Sequence, residues 1–474
     1  MSARRKLWPL LCGIATVAGC AHFQPQPLSP AETAAQFQDR RLHNPGLNDF
    51  LAQQLGHPPP TWPLKEWDLN SLTLAAFYFH PDLAVAREQW RGAQAGAITA
   101  GARPNPSLAF SPSYDNQIPG NPSPWIIPVS LDIPIETAGK RAKRIAEAEK
   151  VAESARWNFV SAAWQIRGKV RAALLDFTVA GRRVGLLEKQ FAAQTEIVKL
   201  LQGRFAAGAI ARPDVTLAQI ALNKTQQDLS GAQSKRADAG SRLAQALGVP
   251  LAAMDGVKLQ FDFSAKSTDA LTSADAHAMA LRRRADILGA LADYAAAEAD
   301  LRLEVARQYP DLHLGPAYAW NNGNAGDNQW TLGATLELPI LDQNQGPIAE
   351  AVARRKLSAA RFLALQAQVG AEIDRAVADV RVAREQLETG EKLIVAQWQQ
   401  QKSAEEQLEA GAGERLDLLN AQLETASAGV MQLDNEAKLQ SAIGALEDAL
   451  QSPADSIAAV IQKLSTENPK AKQP

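Results

Sequence analysis

Ile145-Ala146-Glu147-Ala148 returns verbatim as Ile348-Ala349-Glu350-Ala351, 203 residues further along the 474-residue chain. Working outward, the same offset links Gly208 to Gly411, Asp214 to Asp417 and Pro250 to Pro453. Upstream, Pro106, Leu108, Pro112 and Tyr114 recur 204 residues on as Pro310, Leu312, Pro316 and Tyr318. Trp125, Leu131, Pro134 and Ile135 recur 205 residues on as Trp330, Leu336, Pro339 and Ile340. His80-Pro81-Asp82-Leu83 is answered by Arg284-Ala285-Asp286-Ile287. An offset held this closely over about 170 positions is an internal duplication. Its small changes add one residue to the second copy's strand–strand turn and remove two where strand meets long helix. Insertions confined to connections are what a structural repeat shows.

Each copy reads helix, strand, strand, long helix, helix. The first helix is expected from about Ser71 to Ala102, and its counterpart from Ser273 to Gln308. Two period-2 segments follow. Leu108, Phe110, Pro112 and Tyr114 line one face of the first, and Trp125, Ile127, Val129, Leu131, Ile133 and Ile135 one face of the second. A long Ala-rich helix then runs from about Gly139 to Phe205, matched by Pro347 to Leu408. Val170, Phe177, Val184, Phe191, Val198 and Phe205 recur every seven residues in it, the column of a supercoiling helix. At 1.5 Å per residue such a helix is a rod of roughly 95 Å. A last helix, from Pro213 to Leu247 or from Arg415 to Leu450, makes the two shorter helices together match the long one, stacked end to end along it.

The ends and composition set further bounds. Residues 1–19 form a signal, with Arg4, Arg5 and Lys6 ahead of a short apolar run. Val17-Ala18-Gly19-Cys20 resembles a bacterial lipobox, so Cys20 is the expected lipidation site; the alternative is an ordinary signal peptide that happens to contain a cysteine. Ala21 is not the aspartate that retains lipoproteins at the inner membrane, which implies an outer-membrane address. Residues 20–70 are a Pro-rich lead-in whose prolines are expected to interrupt helices. Repeat 1 spans 71–250, a linker 251–272, repeat 2 273–453, and a polar tail 454–474. A net charge of −2 argues against nucleic acid as a partner. With one cysteine left after processing, no internal disulfide can form. No stretch approaches the run of about 18 apolar residues of a spanning helix, so any membrane crossing is by strands.

Strands of about ten residues suit a tilted crossing of an outer membrane. Tyr114, Trp125, Tyr318, Trp320 and Trp330 lie beside the turns, as an aromatic girdle would. The competing reading packs both hairpins on a soluble core. Four strands cannot close a barrel, open edges are not tolerated in lipid, and the smallest bacterial barrels use about eight strands. At least two chains must therefore combine.

From about residue 70 to 453 the chain resembles the TolC-type outer-membrane efflux proteins. The carrying motifs are the duplicated plan and the two helix breaks, Arg204 to Val215 and Glu409 to Gln422. Pro134 to Arg141 and Leu338 to Gly346 are most similar to the family's heavy-metal, CzcC-like lipoprotein branch. The resemblance implies a mainly α fold with a small β-barrel portion: a homotrimer whose twelve strands close one barrel, continued by a twelve-helix periplasmic tunnel. It also implies a periplasmic adaptor and an inner-membrane pump, of the RND type in that branch, and heavy-metal cations as cargo. The same duct could serve drug efflux or type I secretion. A reading from a different class is a coiled-coil periplasmic lipoprotein without a pore.

Candidate sites follow from these expectations. Asp132 and Glu337 hold equivalent positions on the polar face of the second strands; three of each would ring a lumen and favour cations, unless that lumen is polar without selectivity. Gly208 and Gly411 suit the helix-to-helix turn at the tunnel tip, which the resemblance makes the adaptor contact together with Asp214 and Asp417. Asp417 is either a gate residue or a helix cap, and Asn420 stands where the family can carry a second acid. Phe205 against Leu408 and Pro213 against Leu416 break the likeness of the copies, so the second copy's tip is expected to gate. The six histidines, His22, His43, His57, His80, His277 and His313, show no ligand spacing, so no metal site is expected. Nothing resembles a nucleophile–base set or a phosphate loop, so neither an enzyme nor a cofactor beyond the lipid on Cys20 is expected.

Overall fold

The computed structural model describes residues 23–114, 125–264, 271–321, 328–452 and 457–466. Cys20 and the two strand–strand turns lie outside them.

Repeat 1 consists of α3 (Leu69–Phe79), α4 (Pro81–Ala100), β2 (Ser107–Phe110), β3 (Ser113–Tyr114), β4 (Trp125–Ile135), α5 (Lys140–Ala206) and α6 (Arg212–Leu247). Repeat 2 consists of α7 (Ala274–Arg283), α8 (Ala285–Ala306), β6 (Leu312–Asn321), β7 (Gln329–Leu336), α9 (Gln345–Glu409) and α10 (Arg415–Leu450). Ahead of them lie α1 (Pro30–Gln38), α2 (Pro45–Leu55) and β1 (Glu66–Trp67). β5 (Lys258–Leu259) lies between the repeats and α11 (Ile457–Thr466) follows them.

The long helices have 67 and 65 residues, within a residue or two of the expected bounds. Their seven-residue column is the packed seam: Val170, Val184 and Val198 are buried on α5, as are Ile373 and Val380 on α9. Both α4 and α6 pack along α5, and α8 and α10 along α9.

The expected first helix of each repeat is instead two helices. Pro81 lacks an N–H and biases His80 to extended backbone (φ −72°, ψ 124°), where the His80 ring accepts the Asp82 N–H. Repeat 2 has no proline there, yet Arg284 is also extended (φ −57°, ψ 140°). Its buried guanidinium donates to Asp286 and Glu372 and to the Ala449 carbonyl at 2.7 Å. The Ala285 N–H is taken by Gln451 Oε1 at 2.7 Å. At these breaks the short helices meet end to end. A Cβ on Gly248 (φ +73°) would lie 2.9 Å from the His80 Cα. Arg40 from the lead-in donates to both Phe79 O and Gly248 O, at 2.9 and 2.7 Å, supplying carbonyls that the joint leaves without helical partners.

The lead-in and the tail also depart from expectation. Pro30 and Pro45 start helices rather than interrupt them, because proline at the first helical position gives up an N–H that has no partner anyway. Ser29 and Asn44 cap these helices. β1 and β5 pair in parallel, tying the lead-in to the inter-repeat linker. Within the tail, Ile457, Val460 and Ile461 of α11 are buried in the main core with Leu47, Leu51 and Phe159. Lys463 donates to the Gln53 carbonyl.

Candidate functional site

β2/β3, β4, β6 and β7 form one antiparallel sheet in that order, with β2/β3 and β7 at its edges. The register sorts every strand onto two faces. Leu108 opposes Leu131, Phe110 opposes Val129, Ile133 opposes Leu314, and Tyr318 faces both Val129 and Trp330. Directly opposed residues share a face, so one side is apolar throughout. The other carries Ser107, Ser130, Asp132, Ala317, Ala319, Thr331 and Thr335. The apolar side is bare: Leu108 is 71% exposed, Leu332 77% and Trp330 80%. Tyr114 stacks edge-on against Trp125, with centroids 5.2 Å apart, and Tyr318 lies tilted against Trp330 at 4.6 Å. Trp320, opposite Ile127, joins them on the same face toward the turns.

Asp132 and Glu337 are not equally placed. Asp132 is inside β4, and His313 Nδ1 lies 3.0 Å from its Oδ2. Glu337 falls just past the end of β7 and is exposed. The sequence reading missed His313 as a partner because the pair is 181 residues apart and only the β4–β6 register brings it together. Where strands meet helices, Asp311 accepts from Lys140 at 2.8 Å and from the Thr137 N–H at 2.9 Å. Among the described residues no group of three or more His, Cys, Asp or Glu could hold a metal ion. No helix among them is long and apolar enough to cross a membrane.

At the far end of the long helices the two hairpin turns are built alike. Gly208 and Gly411 both adopt φ +70°, where an L side chain is strained. The Ala209 N–H reaches back to Arg204 O and the Ala412 N–H to Gln407 O, each at 2.9 Å, closing the helix ends. Asp214 accepts from the Ala211 N–H at 3.2 Å, and Asp417 from the Glu414 N–H at 3.3 Å. Both aspartates thus serve as caps in the first turn of α6 and α10. The two turns are also joined to each other. Arg204 pairs with Glu414 at 2.7 Å, above a small cluster of Ile197, Val198, Leu201, Leu416, Leu419 and Leu423.

Midway along the rod lies an ionic core that the sequence reading did not single out. Arg167, 1% exposed, pairs with Glu447 at 2.9 Å. Arg171 donates to the Gln440 carbonyl at 2.7 Å and stacks over Phe261. Burial pushes the Asp448 carboxyl up to about 6 despite the nearby Arg167 and Arg171. The charges flanking Val170 in the heptad column were the available signal; the partners of Arg167 and Arg171 lie 280 and 269 residues away. A recess of about 690 Å³ beside this core is lined by Lys169, Arg284, Glu372 and Asp448, with the corresponding recess of repeat 1, about 640 Å³, beside His80, Lys169 and Gln245.

The profile of the family described as "Outer membrane efflux protein" matches residues 77–249 and 277–451. The cobalt-zinc-cadmium resistance protein CzcC of Cupriavidus metallidurans is 25% identical over 345 residues, covering 72% of this chain and 79% of the relative. Among solved structures, the Campylobacter jejuni outer membrane channel CmeC superposes with a TM-score of 0.68 at 16% identity, over 84% of this chain and 89% of that one. The Vibrio cholerae outer membrane protein VceC gives 0.66 at 21%, over 81% and 95%. These two likenesses concern the fold.

Proposed function

The chain belongs to the outer membrane efflux protein family, and on that premise we propose that three copies form the exit duct of a tripartite efflux system, with heavy-metal cations as cargo. Members of the family are channels, not enzymes, so the conversion to be explained is passage rather than reaction. One observation carries the reading. A sheet with one wholly apolar face and two edges that no other described strand pairs is held at the end of helices 67 and 65 residues long. Such a sheet is stable in lipid only when its edges are closed by further strands. Three copies would supply twelve strands, with the face of Ser130, Asp132 and Thr331 lining the lumen and the tunnel continuing below. The Tyr–Trp pairs would then sit at one membrane interface, and a diacylglyceryl group with a further acyl chain, palmitate, on Cys20 would anchor the chain beside its barrel.

The tips at Gly208 and Gly411 would meet a periplasmic adaptor, which couples the duct to an inner-membrane pump of the RND type. Metal cargo is favoured by the cobalt-zinc-cadmium relative and by the motifs at Pro134 to Arg141 and Leu338 to Gly346. Asp132 and Glu337 would bias the lumen toward cations, with His313 moderating Asp132.

The purified chain reconstituted in planar bilayers is expected to conduct and to run as a heat-modifiable trimer. Absence of both would leave the coiled-coil lipoprotein without a pore. Deleting the gene should lower tolerance to divalent metals; lowered tolerance to drugs alone, or lost secretion of a protein, would move the cargo assignment. Converting Asp132 and Glu337 to Asn and Gln should reduce cation preference, and an unchanged reversal potential would make that lumen unselective. Mass spectrometry of the processed N-terminus tests Cys20.

A further inference from the structure

The polar face of the sheet carries an imidazole. His313 lies on β6 opposite Pro134 of β4 and Thr335 of β7, on the face that holds Ser107, Ser130 and Asp132. Its Nδ1 stands 3.1 and 3.0 Å from the two oxygens of the Asp132 carboxylate. A carboxylate can only accept, so Nδ1 carries the proton and the neutral ring keeps its lone pair on Nε2. Among the described residues Nε2 has no hydrogen-bond partner.

Neither the duplication nor burial accounts for this pair. The 204-residue offset relates His313 to Ala109, and the 205-residue offset relates Asp132 to Glu337, so the first copy offers no imidazole. The His313 and Asp132 side chains are 42% and 48% exposed, and water can satisfy both. Asp311, two residues before His313, is already taken up by Lys140 and the Thr137 N–H. What the pairing does is fix the ring. An imidazole whose other nitrogen donates to a carboxylate is oriented and made more basic as a metal ligand.

We infer that His313 Nε2 is a transient ligand for borderline divalent transition-metal ions crossing the lumen, with Asp132 as its positioning residue. A resident Zn2+ site takes about three or four protein ligands, and no such group exists among the described residues. One imidazole, with water completing the coordination, takes an ion and lets it go, as conduction requires. Nitrogen ligation favours Zn2+ or Co2+ over Mg2+ and Ca2+, which prefer oxygen. The lumen would thus sort cations by ligand chemistry as well as by charge. The inference rests on the proposed metal-conducting duct.

Two measurements test it, one that needs an open pore and one that does not. In planar bilayers with potassium chloride, added Zn2+ should lower the unitary current reversibly, and Mg2+ at the same concentration should not. His313→Ala should abolish that difference. Asp132→Asn should raise the half-effective Zn2+ concentration about 10-fold or more. Glu337→Gln removes a lumen charge away from the imidazole and should shift it less; an equal shift would assign the effect to charge alone and remove the role of Asp132. In detergent, diethyl pyrocarbonate modifies accessible imidazoles, and mass spectrometry should show His313 protected by Zn2+ but not by Mg2+. His57, exposed and beside the Pro58 carbonyl, should be modified as before. Equal protection by both ions, no protection of His313, or a Zn2+ effect that survives His313→Ala overturns the inference. Protection of His313 in a chain that never conducts would count against the duct and leave the site standing. Conductance that ignores Zn2+, with His313 unprotected, would leave the duct and remove the site.

Discussion

Gly208 and Gly411 adopt the same left-handed conformation at the two turns, with nothing within 4 Å of an added Cβ. Substitution there is therefore opposed by backbone strain alone. Gly411→Ala should destabilise its turn by about 1–2 kcal/mol, with valine worse and asparagine milder. Hydrogen exchange at Ala412 and Glu414 would reveal this as faster opening of the tip; unchanged protection would mean the turn is not held as described. Asp448 makes a different kind of residue-level prediction. Its carboxyl is ordinarily near 3.8 and is raised to about 6, first by burial, with Arg167 and Arg171 opposing. The folded chain thus holds this proton more tightly than the unfolded chain. The contribution to stability is complete below 3.8 and is lost as pH rises through about 6. Relative to Asp448→Asn, the wild-type melting temperature should fall between pH 4 and pH 7. Parallel melting profiles would show that ionisation there is not penalised.

The elements were legible where a pattern runs unbroken. Sixty-odd residues with a heptad column and no interior proline can form little but a long helix, so the bounds of α5 and α9 follow directly. The break at His80 was signalled by Pro81 but overlooked, whereas the break at Arg284 was not legible, because its cause is a set of distant partners on α9 and α10. The lead-in was misread because prolines that begin α1 and α2 look, in sequence alone, like prolines that end helices. The faces of the strands were read correctly, since period-2 alternation fixes them before any pairing is known. Their pairing supplies a prediction. Ile135 opposes Leu312 and Ile133 opposes Leu314 across the junction of the two hairpins. The same rule carried to the free edges sets Ile340 opposite Leu108 and Leu338 opposite Phe110 of the next chain. All four side chains then fall on the apolar face, and Leu338 and Ile340, 63% and 73% exposed in the single chain, are covered. Leu338→Cys with Phe110→Cys should link chains readily, whereas Leu338→Cys with Ala109→Cys should not. The reverse preference would mean that the edge is shifted by one residue.

At the scale of the molecule, the helices pack against near neighbours along the rod, while among the described residues no strand pairs with the sheet edges. Secondary structure and closure should therefore respond differently to dilution. Refolded at decreasing concentration in detergent, the protein should keep its far-ultraviolet helical signal while the heat-modifiable form declines. Loss of both together would show that the rod needs its partners as much as the sheet does. The candidate sites followed the same division. The tip glycines could be found from the duplication alone, because the turn they form is local. His313 and the Arg167–Glu447 core could not, because each joins segments 181 and 280 residues apart. The bare edges also bear on biogenesis. If the proposed trimer holds, a newly exported chain reaches the periplasm as a species with nowhere to rest: its rod is ready, but its sheet is an aggregation template until two sister chains arrive. Output of functional ducts should then scale steeply with synthesis rate, so that modest under-expression removes far more pore than protein.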